Sequence, residues 1–297
     1  MIREIAPAKI NLYLHVGPAR RDGLHALESL FVFADAGDVV EAAPAADLSL
    51  DIIGPFAGPL SAEPVERNLV MRAARKLKAL CDVGAGARIT LAKRLPIASG
   101  VGGGSADAAA TLRALMRLWN IVPAPRELAR LAFSLGADVP ACLDRRPVLV
   151  GGAGEIVKPA PALPPLWVCL ANPGVAMPTG PVFRAFDAEN PAPAAPAAAP
   201  FSGAGYALVE GLFENSRNDL QPIAIWREPV IQTVIKRLAA RRGALGARMS
   251  GSGATAFGLF SSAAAAARAA QEMAGRGWWS MSAKICSDRG PSQRVEY

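Results

Sequence analysis

Four glycines crowd into one short run, Pro96-Ile97-Ala98-Ser99-Gly100-Val101-Gly102-Gly103-Gly104-Ser105-Ala106-Asp107, between a strand-like segment and a helical one. Glycine has no Cβ to hold phosphate oxygens away from backbone N–H groups, and it takes positive φ without strain. Such a loop delivers its amides at the N-terminus of the following helix, where the macrodipole favours an anion by about 0.3–1 kcal/mol. Several contacts of this kind suit a triphosphate; a close-packed turn without a ligand is the competing reading. Two familiar phosphate loops are excluded. Walker A needs Lys and then Ser or Thr after its last glycine, but Ser105-Ala106 follow Gly104. A dinucleotide fingerprint would put glycine where Ser105 stands. A second cluster, Met249-Ser-Gly-Ser-Gly-Ala-Thr255, reads either as a hairpin turn or as a backbone surface packed on the first loop.

Groups able to move protons or charge lie elsewhere. Asp138 follows a helix stop at Gly136 and precedes a short helix, so it is a helix cap or a carboxylate free to accept a proton. Lys9 and Asn11 share one strand face and can enter the same cleft. A lysine beside Asp138 would orient the carboxylate or offset negative charge at an acceptor oxygen; alone on a strand it is a solvated side chain. The hydroxyl of Ser105 suits a phosphate, a Mg²⁺ ion or a helix cap. His25 and Phe183 read equally as core residues and as ligand contacts. Cys81, Cys142, Cys169 and Cys286 are far apart, and His15 and His25 are the only histidines, so neither a zinc site nor a disulfide framework is expected. A reducing cytoplasm follows.

The elements that must position these groups are legible in outline. Residues 9–16 alternate, with Ile10, Leu12, Leu14 and Val16 opposite Lys9, Asn11, Tyr13 and His15. Strands are expected at 27–33, 38–42, 48–52 and 87–92. A helix capped by Asn68 runs to Leu80, another spans 105–119 and buries Leu112, Leu115, Met116 and Trp119, and a third covers 126–135 with Gly136 as a left-handed cap. After a strand at 167–171, helices near 205–214, 228–241 and 262–275 alternate with strands near 245–249, 254–260 and 277–286. Residues 188–200, rich in Ala and Pro, read as an extended surface loop. The mixture is α+β, with a boundary near 150–165.

Composition narrows the class. Of 297 residues, 52% are hydrophobic and 19% charged, which is globular rather than disordered. The net charge of +7 is dispersed, without long basic blocks or interleaved aromatics, which favours solvated faces and anionic small molecules over nucleic acid. Lys9 and Asn11 interrupt the apolar N-terminus, and Pro, Gly or Ser break the charge-free stretches, so neither a signal peptide nor a membrane span is expected.

Pro7-Ala8-Lys9-Ile10-Asn11, the run from Pro96 to Ala106 and the cluster from Met249 to Thr255 resemble, in order, the three motifs of the GHMP kinase superfamily of galactose, homoserine and mevalonate kinases. Asp22-Gly23-Leu24-His25, Leu30-Phe31, Arg67-Asn68-Leu69, Leu135-Gly-Ala-Asp138-Val-Pro140, Pro173-Gly174, Phe183 and Asn218-Asp219-Leu220 resemble the branch acting on the cytidine diphosphate conjugate of methylerythritol. The resemblance implies two domains, a ribosomal-protein-like ATP-binding domain at 1–158 and a ferredoxin-like α/β domain at 159–297. It implies ATP as co-substrate with Mg²⁺, and phosphorylation of the acceptor's C2 hydroxyl. By the same resemblance Lys9 and Asp138 form the catalytic pair, and Asn68 with the loop Pro96–Asp107 binds ATP. Asn11, Leu24, His25, Phe31 and Phe183 contact the acceptor. Leu24 departs from the family pattern, which has a tyrosine there to stack on cytosine, a contribution of ~1 kcal/mol. A monomer or homodimer working on a small molecule, without nucleic acid or membrane partners, is the implied state. A homoserine or mevalonate kinase, a nucleic-acid binder and a silent nucleotide sensor are the competing readings.

Overall fold

Valine, isoleucine and leucine recur at alternate positions through the first hundred residues, and these runs build the first sheet. The computed structural model describes residues 1–190, 201 and 203–286. Its first half runs β1 (Ile2–Ala19), β2 (His25–Ala45), β3 (Leu48–Ile53), a short α1 (Ala57–Ser61), a 3-10 turn at Val65–Arg67, α2 (Leu69–Leu80), β4 (Gly86–Ala92), α3 (Gly103–Trp119), α4 (Pro125–Leu135), α5 (Val139–Asp144), β5 (Val148–Gly152) and β6 (Ile156–Pro159). The sheet order is β3-β4-β2-β5-β6, with β1 also paired to β2; β3 and β4 run parallel and the other pairs antiparallel. The second half follows as β7 (Trp167–Asn172), α6 (Thr179–Glu189), α7 (Gly205–Asn215), α8 (Gln221–Arg227), α9 (Val230–Ala239), β8 (Ala244–Met249), β9 (Ala256–Phe260), α10 (Ala263–Ala274) and β10 (Trp279–Lys284). Its antiparallel sheet has the order β10-β7-β9-β8.

Three apolar cores hold this frame. Helices α2, α3 and α4 cover the first sheet through Val70, Leu77, Leu112, Leu115 and Leu131. Helices α9 and α10 cover the second through Ile231, Val234, Leu238 and Met273. A third core joins the two sheets: Ile10, Leu12, Leu30 and Val32 pack with Leu166, Val168, Leu170, Phe257 and Leu259. Each buried side chain of this size contributes about 1.5–3 kcal/mol. Among the described residues no helix is long and apolar enough to cross a membrane.

Several sequence expectations are corrected. The strands at 27–33 and 38–42 are one continuous β2, which pairs with β1, β4 and β5. The alternation along 9–16 does not survive as drawn, because a register shift between Asn11 and Tyr13 turns the strand over. Lys9, Asn11 and then Leu14 line the cleft. Tyr13 is fully buried, with its hydroxyl donating to Glu28 Oε1 at 2.6 Å. Gly136 closes α4 in extended backbone, φ 169°, rather than left-handed. In α3 Leu112 and Leu115 are buried, but Met116 and Trp119 only partly so. Strands β5 and β6 and helices α1, α6 and α8 have no counterpart in the expectations. Of the expected loop at 188–200, residues 188 and 189 complete α6, and 191–200 lie outside the described residues.

Candidate active site

The glycine run leads into α3 from a bend that only glycine fits well. Gly100 and Gly102 sit at φ 78° and 63°. A Cβ on Gly100 would stand 2.2 Å from Ser250 O, and one on Gly102 would stand 2.8 Å from Lys9 Cε. Backbone of the second glycine turn therefore lies directly on the first, as the packed-surface reading expects. Ser250 Oγ donates to Gly100 O at 2.9 Å, and Thr255 N–H donates to Ser99 O at 3.1 Å. Asn218 holds the second turn in place, its Nδ2 donating to Met249 O and Gly251 O at 2.9 and 2.8 Å. The first internal bond of α3 is Ala106 N–H to Gly102 O, so the amides of Gly103, Gly104 and Ser105 precede it at the helix mouth.

Beside the loop stands an ion pair. Lys9 Nζ lies 3.0 Å from Asp138 Oδ2, donates to Asn11 Oδ1 at 2.8 Å and sits 4.4 Å from the Phe31 ring centroid. Its backbone N–H donates to Val101 O, which ties β1 to the glycine loop. Asn11 is fixed in turn, Nδ2 donating to Ser29 Oγ at 3.0 Å and its N–H to Ser250 Oγ at 3.1 Å. Asp138 stands at the N-cap of α5, yet its side chain makes no capping hydrogen bond. Its carboxylate pairs with Lys9 instead of capping the helix. Behind the pair, buried Arg113 of α3 donates to Cys142 O on α5 and Ile5 O on β1, both at 2.9 Å, and to Glu4 at 3.1 Å. Burial lowers its pKa to about 10, with Arg145 adding and Glu4 opposing. It locks together the three elements that carry the loop, the lysine and the aspartate.

These parts line one cleft of about 780 Å³. It gathers Lys9, Asn11, Leu24, His25, Phe31, Asn68, Asp107, Asp138, Phe183 and most of the loop from Pro96 to Ser105. Val101 and Ala106 are the exceptions; both side chains are fully buried and only their backbone faces the loop. Asn68 caps α2, accepting from Val70 N–H at 2.9 Å, which fixes it at the cleft edge. His25 Nδ1 lies 3.0 Å from Gly17 O and must donate to it, because a carbonyl only accepts. Its Nε2 is 3.4 Å from Asp187, and its ring is 4.9 Å from that of Phe183. Phe31 is 2% exposed and lies under Lys9, so it supports the ammonium more than it touches the open cleft.

Sequence reasoning missed a buried triad beneath the loop. Lys93 Nζ donates to Asp38 and, at 2.8 Å, to Asp107; Asp38 also accepts the Leu95 N–H at 2.8 Å. Burial alone would lower the Lys93 pKa, but the two carboxylates outweigh it and raise it. The Asp107 carboxyl is pushed up to about 7 from 3.8, chiefly by burial, with Lys93 opposing and Asp38 adding. Its Oδ1 is buried without a hydrogen-bond partner among the described residues. A carboxyl whose folded pKa is raised contributes stability that is full below its ordinary value and is lost as pH rises through about 7. Asp107→Asn removes that dependence. Its Tm relative to wild type is expected to climb between pH 5 and pH 8, read by calorimetry; a difference flat in pH would show that Asp107 does not titrate there.

A glycine-lined helix mouth facing a lysine–aspartate pair, between two sheets sharing a core, is kinase architecture, and the chain belongs to the GHMP kinase family. The family model for the GHMP kinases N terminal domain matches residues 68–146, and that for the GHMP kinases C terminal matches 199–277. A protein of Cereibacter sphaeroides is 53% identical over 96% of this chain and 99% of its own length, and one of Paramagnetospirillum magneticum is 48% identical over 95% and 98%. Both are named 4-diphosphocytidyl-2-C-methyl-D-erythritol kinase. A solved structure of 4-(cytidine 5'-diphospho)-2C-methyl-D-erythritol kinase is 35% identical, covers 95% of this chain and 98% of its own, and superposes with a TM-score of 0.78. Homoserine kinase from Cytophaga hutchinsonii, 21% identical with a TM-score of 0.70, covers 96% of this chain and 94% of its own and shares the fold.

Proposed function

We propose that this chain transfers the γ-phosphoryl group of ATP to the 2-hydroxyl of 4-(cytidine 5'-diphospho)-2-C-methyl-D-erythritol, giving the 2-phosphate and ADP, in non-mevalonate isoprenoid precursor synthesis. The observation that carries this reading is the Lys9–Asp138 pair, 3.0 Å apart, in the same cleft as the amides of Gly103 to Ser105. The names of the relatives support the acceptor.

Phosphoryl transfer needs alignment and charge neutralisation more than covalent work by the protein. Backbone amides at the mouth of α3 hold the triphosphate, and Asn68 borders the nucleotide. The acceptor hydroxyl attacks the γ-phosphorus as its proton passes to Asp138, and the bond to the β–γ bridging oxygen breaks with its electrons leaving on ADP. Lys9 orients Asp138 and offsets charge growing on the attacking oxygen. Cytosine lies at His25, between Phe183 and the shorter Leu24, and Asn11 lies along the acceptor. Mg²⁺ usually takes few protein oxygens and mostly phosphate and water, and the oxygens of Ser105 and Asp138, which line the same cleft, would suit it. Bound there, the ion would neutralise phosphate charge. The ATP-binding domain spans 1–158 and the C-terminal domain 159–297, in a cytoplasmic protein without nucleic-acid partners, as monomer or homodimer.

An ADP-release assay across four acceptors tests this: the cytidylyl conjugate, methylerythritol 4-phosphate, mevalonate and homoserine. The conjugate is expected to exceed the others in kcat/KM by about 10³-fold or more, because buried polar groups left unpaired reject an analogue. Comparable turnover of mevalonate or homoserine would assign the chain to another branch of the family.

A further inference from the structure

Four of the charged side chains lining the cleft are paired, while Glu63 has no cation within ion-pair distance among the described residues. Lys9 is on Asp138, Lys93 lies between Asp38 and Asp107, and His25 faces Asp187. Two lining guanidiniums, Arg67 and Arg184, have no carboxylate within ion-pair distance among the described residues. Arg67 ends the 3-10 turn beside Asn68, in the half of the molecule that carries the mouth of α3. Arg184 belongs to the opposite half, on α6.

Thr179, Gly180, Phe183, Arg184 and Asp187 recur at helical spacing along α6 and all line the cleft. Phe183 and Asp187 meet His25, while the Thr179 hydroxyl lies 3.0 Å from Ser252 Oγ in the second glycine turn. Side chains on a helix lean toward its N-terminus. Arg184 follows that rule: its Nη1 lies 3.4 Å from the point a Cβ on Gly180 would occupy. The guanidinium thus folds back over the bare turn at Gly180, between the His25–Phe183 end and the Thr179–Ser252 end. A guanidinium matches phosphate oxygens in bidentate fashion, and Arg184, without a carboxylate partner among the described residues, is placed to take a phosphate group.

We propose that Arg184 binds the diphosphate that links the two parts of the acceptor. The proposal rests on the reading that the acceptor is a nucleoside diphosphate conjugate, and it adds a specificity-determining residue to that site. The donor's phosphates meet the amides of α3; the acceptor's own anionic segment meets Arg184.

Calorimetric titration with cytidine 5'-diphosphate and with cytidine, on wild type, Arg184→Met and Arg184→Lys, tests it. Arg184→Met is expected to weaken diphosphate binding about 10- to 100-fold, the range for a charged hydrogen-bonded pair. Cytidine binding should stay within about twofold, and Arg184→Lys should fall between, since a lysine keeps the charge without the fork. With the full conjugate, KM should rise in the same proportion and kcat change by less than about threefold. Equal loss for cytidine and its diphosphate, or no loss for either, overturns the assignment, and Arg184→Lys guards against a folding defect being read as support. Wild-type turnover of the conjugate judges the acceptor reading separately, because the diphosphate-to-cytidine ratio is measured on binding alone.

Discussion

Replacing Asp138 by asparagine lowers kcat by about 10²- to 10⁴-fold, the usual worth of a positioned general base, and leaves KM for ATP within about twofold. The substitution keeps shape and removes basicity. It disturbs little else, because the Asp138 side chain makes no capping bond to α5 whose loss would confuse the result. Lys9 keeps a partner in Asn11 Oδ1 at 2.8 Å, so its ammonium stays over the Phe31 ring. The amides of the first turn of α3, where the proposal places ATP, are not touched by the change. Single-turnover measurements at saturating substrates separate the chemical step from product release. Undiminished turnover would remove the proton-accepting role from Asp138 and would suit a mechanism in which alignment alone drives transfer.

Gly100→Ala is expected to raise KM for ATP about tenfold and to cost about 2–4 kcal/mol of stability. Two effects add. At φ 78° an alanine pays roughly 1 kcal/mol that glycine does not. Its Cβ would also stand 2.2 Å from a backbone carbonyl, Ser250 O, which cannot rotate away as a side chain would. The two glycine turns must therefore separate, at about 1–3 kcal/mol for overpacking of this kind. Because Ser250 Oγ also meets the Asn11 N–H, the shift reaches the strand bearing Lys9. Gly58→Ala serves as the control, since nothing lies within 4 Å of a Cβ there. Wild-type KM and Tm in Gly100→Ala would mean that the loops are not seated on one another.

The site was legible in part. Glycines at 100 and 102–104 mark a tight loop at a helix start, and the resemblance to the family motifs related Lys9 to Asp138, which the structure brings to 3.0 Å. What escaped were arrangements made by distant segments. Lys93 and Asp38 are 55 residues apart, and nothing local in either marks a buried pair. The turnover of β1 past Asn11 was invisible because period-two counting assumes an unbroken strand. Helix α6 was missed because Pro178, Gly180 and Pro181 suggest a loop; Pro181 is tolerated because it falls in the first turn. That helix carries Phe183, Arg184 and Asp187, so one unrecognised element hid most of the acceptor side.

The apolar layer between the two sheets sets a limit on movement. Prising them apart would bring Ile10, Leu12, Val32, Val168, Phe257 and their neighbours into water, at about 1.5–3 kcal/mol for each large side chain. The two sheets are thus joined through their interior, and opening the cleft by separating them carries that cost. With acceptor and ATP bound as proposed, reach comes from the ligand: a long, jointed acceptor spans from its anchoring base to the phosphorus, whereas a short alcohol held at the same anchor falls short.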